Sequence, residues 1–319
     1  MVGPLAIGEI ARTLPDTIDV FVCSSSFEER CVVLPRALAN KRIKRVLVCS
    51  NIDQRTLVGG YARELGQAFR KSVVVDFDSG NPLTIADSLL KHLRVAAKDA
   101  RNIVVDTTTF THEALLIMYK ILSDSHQPGP ELIFLYNPAI AYSYHAVTKD
   151  EVWLTKGLRD WRGVLGYPGE FDMDKAHCLV VMVGYEYERS KLLIDLIEPN
   201  LLVLGKGKEG ESVNLEIQEV NSHKYERLKV MFREVREFDF SCVDPQKSAG
   251  DIAAGISDLQ DFNITIAPMN NKLSTLGLGL LCRQRSDIRV VASRANLYNN
   301  DCYSMESDQC YVYRSPSLE

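Results

Sequence analysis

Short apolar runs alternate along this chain with longer stretches in which apolar residues recur three and four positions apart. Runs at 20–23, 46–49, 73–77, 103–105 and 133–136 are continuous rather than alternating, which predicts strands buried on both faces of a parallel sheet. The intervening stretches at 28–39, 61–69, 83–95 and 112–122 have the period of helices lying on such a sheet. From about residue 179 the scheme starts again. Strands are predicted at 179–183, 201–204, 230–238, 264–267 and 289–292, with helices at 189–197, 216–227, 249–259 and 272–283. Tyrosine-rich segments at 142–154 and 298–313 alternate in polarity and predict a hairpin closing each half. Residues 156–176 carry Trp161 and Pro168-Gly169 and read as a linker. The fold class expected is α/β, with two tandem Rossmann-like domains at 1–168 and 169–319, each a mainly parallel sheet with helices on both faces.

The two halves also resemble one another residue by residue. Arg30, after an apolar run and Glu28-Glu29, matches Arg189, after an apolar run and Glu186-Tyr187-Glu188, at an offset of 159. Asp76-Phe77-Asp78 returns as Glu237-Phe238-Asp239, and Asn102-Ile103-Val104-Val105-Asp106 as Asn263-Ile264-Thr265-Ile266-Ala267, both at 161. Ala141-Tyr142 matches Leu297-Tyr298 at 156. Signals kept in order and spacing predict a duplicated domain, since the period is too long for a solenoid. Such twins are expected to mimic a homodimer within one chain.

Composition narrows the partners. With 319 residues, 46% hydrophobic and 25% charged, the chain can bury two cores. Its net charge of −5 supplies no broad basic field for nucleic acid. Residues 1–10 lack a secretory pattern, and the longest apolar candidate, 264–282, is interrupted by Asn270, Asn271 and Lys272, so a cytoplasmic protein without membrane partners is expected. Cys23, Cys49, Cys178 and Cys282 sit inside apolar patterns as small hydrophobes. No C-x-x-C occurs, and neither a structural zinc site nor disulfides are expected.

In an open parallel sheet, ligands gather at the carboxyl ends of the strands where the strand order reverses. The loops expected there are Ser24 to Arg30 and Asp106 to Glu113 in the first half, and Gly184 to Arg189 and Pro268 to Ser274 in the second. Thr108, Thr109 and Thr111 offer hydroxyls beside a helix N-terminus, where a phosphate is favoured. Thr111 also reads as an N-cap, the commoner role of a Thr-rich strand-to-helix turn. The matching loop offers Asn271 and Lys272. Arg30 and Arg189 begin helices, an unfavourable place for a cation, so each requires an anionic ligand or an acidic neighbour such as Glu28, Glu29 or Glu186. Tyr185 and Phe27 are placed to stack on a base.

Other chemistry is sparser. Asp76 and Asp78 end the third strand, and with Glu29 and Asp106 they form the candidate catalytic set of a magnesium-dependent phosphoesterase or nuclease. This order of carboxylates resembles the Toprim catalytic fold. Cys23 and His112 fall at adjacent strand ends, as a Cys–His pair would, although Leu273 stands opposite His112 in the second half. Neither G-x-G-x-x-G nor G-x-x-x-x-G-K-[ST] follows a first strand.

Pro268-Met269-Asn270-Asn271-Lys272, with Gly184-Tyr185-Glu186, resembles the paired loops of the CARF-type Rossmann-like sensors of prokaryotic defence systems. That resemblance implies a pocket for a cyclic oligonucleotide. It departs from the family in lacking glycines at 268–272 and in having Thr111 where the first half would need lysine. The function expected is a cytosolic sensor or regulatory subunit binding a phosphorylated, nucleotide-like molecule through Arg30, Thr108, Thr109, Thr111, Tyr185, Arg189, Asn271 and Lys272, with a protein partner and no cofactor. The alternatives are the metal-dependent hydrolase, for which magnesium would be the cofactor, and a structural subunit of a larger complex.

Overall fold

The structure, a computed structural model, describes residues 2–52, 55–69, 71–124, 129–300 and 302–315. It divides into two compact units, Met1–Ala139 with Ser304–Glu319, and Ile140–Tyr303. The chain is α/β, and its two large sheets are mainly parallel.

In the first unit, β1 (Val2–Ala6) and a short α1 (Ile10–Thr13) precede β2 (Thr17–Ser24), α2 (Arg30–Ala37), β3 (Arg42–Asn51), α3 (Arg55–Ala68), β4 (Ser72–Phe77), α4 (Pro82–Ala97), β5 (Asn102–Asp106), α5 (His112–Ser123) and β6 (Glu131–Tyr136). After the second unit the chain returns with β16 (Ser304–Glu306) and β17 (Gln309–Arg314). The seven-stranded sheet runs β1-β17-β6-β5-β2-β3-β4. Strands β2 to β6 are mutually parallel, whereas β17 pairs antiparallel with both β6 and β1. The middle one of the five parallel strands, β2, is buried on both faces, which is why Val20, Phe21, Val22 and Cys23 form an unbroken apolar run. Phe21 and Cys23 share one core with Cys31, Leu34 and Val104.

The second unit carries β7 (Ala139–Tyr142) at its boundary, then β8 (Thr155–Lys156), β9 (Asp160–Pro168), β10 (Ala176–Met182), α6 (Tyr187–Ile197), β11 (Leu201–Gly207), α7 (Leu215–Lys229), β12 (Arg236–Phe240), α8 (Pro245–Gly255), β13 (Phe262–Pro268), α9 (Lys272–Gln284), β14 (Arg289–Arg294) and β15 (Leu297–Tyr298). Its six-stranded sheet runs β12-β11-β10-β13-β14-β9, parallel except for β9. Both sheets therefore share one order of their five parallel strands, third-second-first-fourth-fifth, which puts the reversal between β2 and β5 in one and between β10 and β13 in the other. Leu179, Val181, Leu204, Leu228 and Val291 build the core on one face of the second sheet.

Several expectations change. The supposed linker contains β9, an edge strand paired with β14. Gly169 ends that strand with φ +67°, and a Cβ there would lie 2.6 Å from the Arg289 backbone nitrogen, so the Pro-Gly pair marks a turn pressed against the sheet. Among the described residues, segment 298–313 forms no hairpin of its own. Tyr298 pairs with Thr155, while β17 inserts into the first sheet, so the compact units are bounded differently from the expected 168/169 division. The 142–154 hairpin is absent as well, that stretch being turns between β7 and β8. The strand expected at 230–238 begins only at Arg236, because α7 runs to Lys229 and Val230 caps it. Among the described residues no helix is long and apolar enough to cross a membrane.

Candidate functional site

At the reversal point of the first sheet, the loops after β2 and β5 are tied down by their own polar groups. Asp106 ends β5 only 2% exposed, and its Oδ1 accepts from the Thr108 backbone N–H at 3.0 Å. Burial pushes its carboxyl up to about 6, against the pull of Thr108 and the Arg30 charge. Thr108 Oγ1 accepts from the Asn137 N–H at 3.0 Å, and Thr109 Oγ1 donates to the Ser24 carbonyl at 2.9 Å. Thr111 is the N-cap of α5, accepting from Ala114 N–H at 3.1 Å. The threonines thus stitch strand ends together and start a helix.

Arg30 is saturated in the same way. It is 3% exposed, its Nη2 lies 2.6 Å from Glu28 Oε2, its Nε donates to Glu28 and Ser304, and its Nη1 donates to the Asn137 carbonyl at 3.2 Å. Glu28, Asn137 and Ser304 complete this network. Of these only Glu28 had a sequence signal, its place two residues before a helix-starting arginine.

The four carboxylates of the hydrolase set lie apart. Glu29 is exposed and pairs with Arg36 at 3.4 Å. Asp78 organises a turn, accepting from the Gly80 N–H at 2.6 Å, and Asp76 is exposed on the edge strand β4. Three strand spacings separate β4 from β5, about 14 Å, too far for Asp76 and Asp106 to share one ion. Among the described residues no three His, Cys, Asp or Glu side chains cluster closely enough to hold a metal. Cys23 lies in the apolar core, where burial pushes its thiol well up, the reverse of what activates a nucleophile.

At the matching point of the second sheet the loops also meet, but the arginine is left differently. Gly184 lies where a Cβ would be 2.6 Å from the Met269 carbonyl and 2.8 Å from the Asn270 Cα, so this approach of the β10 and β13 loops requires glycine. Asn270 Nδ2 donates to the Val183 carbonyl at 2.7 Å. Asn271 caps α9, accepting from the Ser274 N–H at 3.0 Å, and its amide donates to the Cys242 carbonyl at 2.7 Å. Lys272, half-buried, is the first residue of that helix. The half-buried Tyr185 ring meets Tyr142 edge-on at 4.8 Å between centroids, and burial raises its hydroxyl.

Arg189 occupies the first turn of α6 and is 8% exposed. Its nearest anion is Glu186, at 3.7 Å from Nη2, beyond hydrogen-bonding distance, and its buried Nε has no hydrogen-bond partner. Glu186 is itself engaged as acceptor from the Thr155 hydroxyl, on β8. Tyr298, the β15 partner of Thr155, has its hydroxyl raised by burial and feels the charges of Arg189, Glu186, Arg294 and Arg159. Lys224 of α7 is 1% exposed, with its ammonium 4.9 Å from the Tyr187 ring centre, and burial lowers its pKa. Glu186 supplies no side-chain cap to α6, whereas Asn214, Asp244 and Asn271 cap the other helices of this unit. Thr155, Tyr298 and Lys224 were missed because each reaches the site from an element remote in sequence.

No protein-family profile matches the chain, and no curated protein resembles it significantly.

Proposed function

We propose that this chain is a binding protein, a sensor or regulatory subunit, that holds a small phosphorylated, nucleotide-like molecule at the carboxyl edge of the second sheet. The observation that carries the reading is Arg189. Leaving an N–H of the permanently charged guanidinium unanswered away from water costs more than the roughly 1–3 kcal/mol of a neutral donor, and a bound oxyanion is the group that would repay it. Arg30, at the corresponding position, has its charge answered by Glu28, so the first unit's loops serve as support. The uncapped first turn of α6 adds backbone donors of the sign a phosphate needs, and Lys224, Arg159 and Arg294 add positive potential. In this reading Arg189 meets the phosphate, Lys272 adds long-range attraction, and Tyr185 offers a ring edge to a base.

Duplication of one ancestral domain accounts for the setting. The shared strand order and the recurrences at offsets near 160 support it, with one copy keeping the ligand and the other its scaffold. Titration calorimetry with AMP tests the binding reading. Binding is expected to survive Thr109→Ala and to fall at least about tenfold in Arg189→Met. Equal affinity of Arg189→Met and the unmodified chain would overturn it.

A further inference from the structure

Glu28 and Glu186 precede corresponding arginines and hold them differently. In the first unit Glu28 Oε2 lies 2.6 Å from Arg30 Nη2 and accepts from its Nε at 3.0 Å, so carboxylate and guanidinium close on each other. In the second, Glu186 Oε2 stays 3.7 Å from Arg189 Nη2 and accepts from the Thr155 hydroxyl instead, while Arg189 Nε has no partner. The carboxylate nearest Arg189 is therefore present without being bonded to it.

The backbone and side chain of Glu186 are held separately. Its carbonyl accepts from the Ser190 N–H at 2.9 Å and from the Ser190 hydroxyl at 2.8 Å, within the first turn of α6. Its carboxylate is held by a hydroxyl on β8 and gives α6 no side-chain cap. Turning that side chain outward breaks the Thr155 bond, leaves the helix intact and vacates the space beside Arg189.

Charge identifies what takes that space. Arg189, 8% exposed, and Lys224, 1% exposed, both feel the Glu186 carboxylate. The other carboxylates near Lys224 are spent elsewhere: Asp150 pairs with His223 and Arg227, and Glu188 is exposed. Glu186 thus sets one negative charge against two buried positive ones. A phosphomonoester, whose second pKa is about 6, brings nearly two negative charges at neutral pH, whereas a phosphodiester brings one and gains no charge over the carboxylate it would replace.

On the binding reading above, we propose that Glu186 is an internal stand-in for the ligand's oxyanion, displaced from Arg189 by a terminal phosphomonoester dianion and not by a phosphodiester. A mononucleotide-like ligand fits this site, and a cyclic one with only diester linkages does not.

Titration calorimetry of the full chain at pH 7.5 with AMP and with its 5′-phosphate methyl ester, a diester of nearly the same size, tests it. AMP is expected to bind at least about tenfold more tightly than the ester. Glu186→Gln keeps the shape of the side chain and removes the competing charge, so it should tighten AMP binding about fivefold. Glu186→Ala should tighten it too, and serves if Glu186→Gln does not fold. Equal binding of AMP and the ester, or AMP affinity unchanged or weakened in both Glu186 variants, would overturn the proposal. If Arg189→Met weakens AMP binding while the Glu186 variants do not tighten it, the binding reading stands and the stand-in falls; no AMP binding by the parent chain overturns both.

Discussion

Replacing Asp106 by asparagine should stabilise the first unit at neutral pH and leave it unimproved in acid. The carboxyl is 2% exposed, and burial lifts it from 3.8 to about 6. A gap of roughly two units corresponds to about 3 kcal/mol that the folded state loses by ionising this group. Below pH 4 both folded and unfolded chains hold the proton, and there is no penalty. Between about 4 and 6 the unfolded chain releases its proton while the folded one retains it, so stability declines as pH rises; above about 6 the full cost is present. Asparagine keeps the oxygen that accepts from Thr108 and carries no charge, but its amide needs an acceptor, which offsets about 1 kcal/mol. A net gain of about 2 kcal/mol at pH 7.5 is therefore expected. Hydrogen exchange of the β5 amides across pH 4.5 to 7.5, corrected for intrinsic exchange, reads the first unit separately from the second. An asparagine variant less stable than the parent at pH 7.5, or with the same pH slope, would refute the reasoning.

The two helix-starting arginines should respond in opposite ways. Arg30→Met strands Glu28 in a buried site and is expected to cost about 3–5 kcal/mol in urea unfolding, whereas Arg189→Met, which removes a buried charge with no hydrogen-bonded partner, should cost under about 1 kcal/mol. Equal losses would contradict the asymmetry. Gly184→Ala forces a methyl against the Met269 carbonyl and should destabilise the chain by about 1–3 kcal/mol and weaken AMP binding, read by thermal unfolding and calorimetry. Of the eight cysteines only Cys302 is not buried, so one thiol should react with an aromatic disulfide reagent under native conditions and the remainder only on unfolding; rapid labelling of several would contradict the burial.

The parallel strands were legible because their burial on both faces writes itself as unbroken apolar runs, as in 20–23 and 179–183. Elements at sheet edges were less legible. Only Val164 and Tyr167 of β9 are buried, so its sequence lacks an apolar run and reads as a loop, and nothing local in 309–314 says that this strand crosses back to the first sheet. At the site, position and residue type pointed to Arg30 and Arg189 alike, and only coordinates separate a saturated guanidinium from an unsatisfied one. Thr108, Thr109 and Thr111 carried a phosphate-site pattern because stitching strand ends and capping a helix use the same hydroxyls. Asp76 and Asp78 looked paired with Asp106 along the chain, while the strand order sets them at opposite sides of β2 and β3.

The central claim is that a phosphorylated small molecule completes the site around Arg189. Denaturing gently purified chain and identifying the released compounds by mass spectrometry tests it most directly. A phosphorylated, nucleotide-like compound released from the parent and absent from Arg189→Met is the predicted result; the same compound released equally from both would contradict the claim, as would release of none.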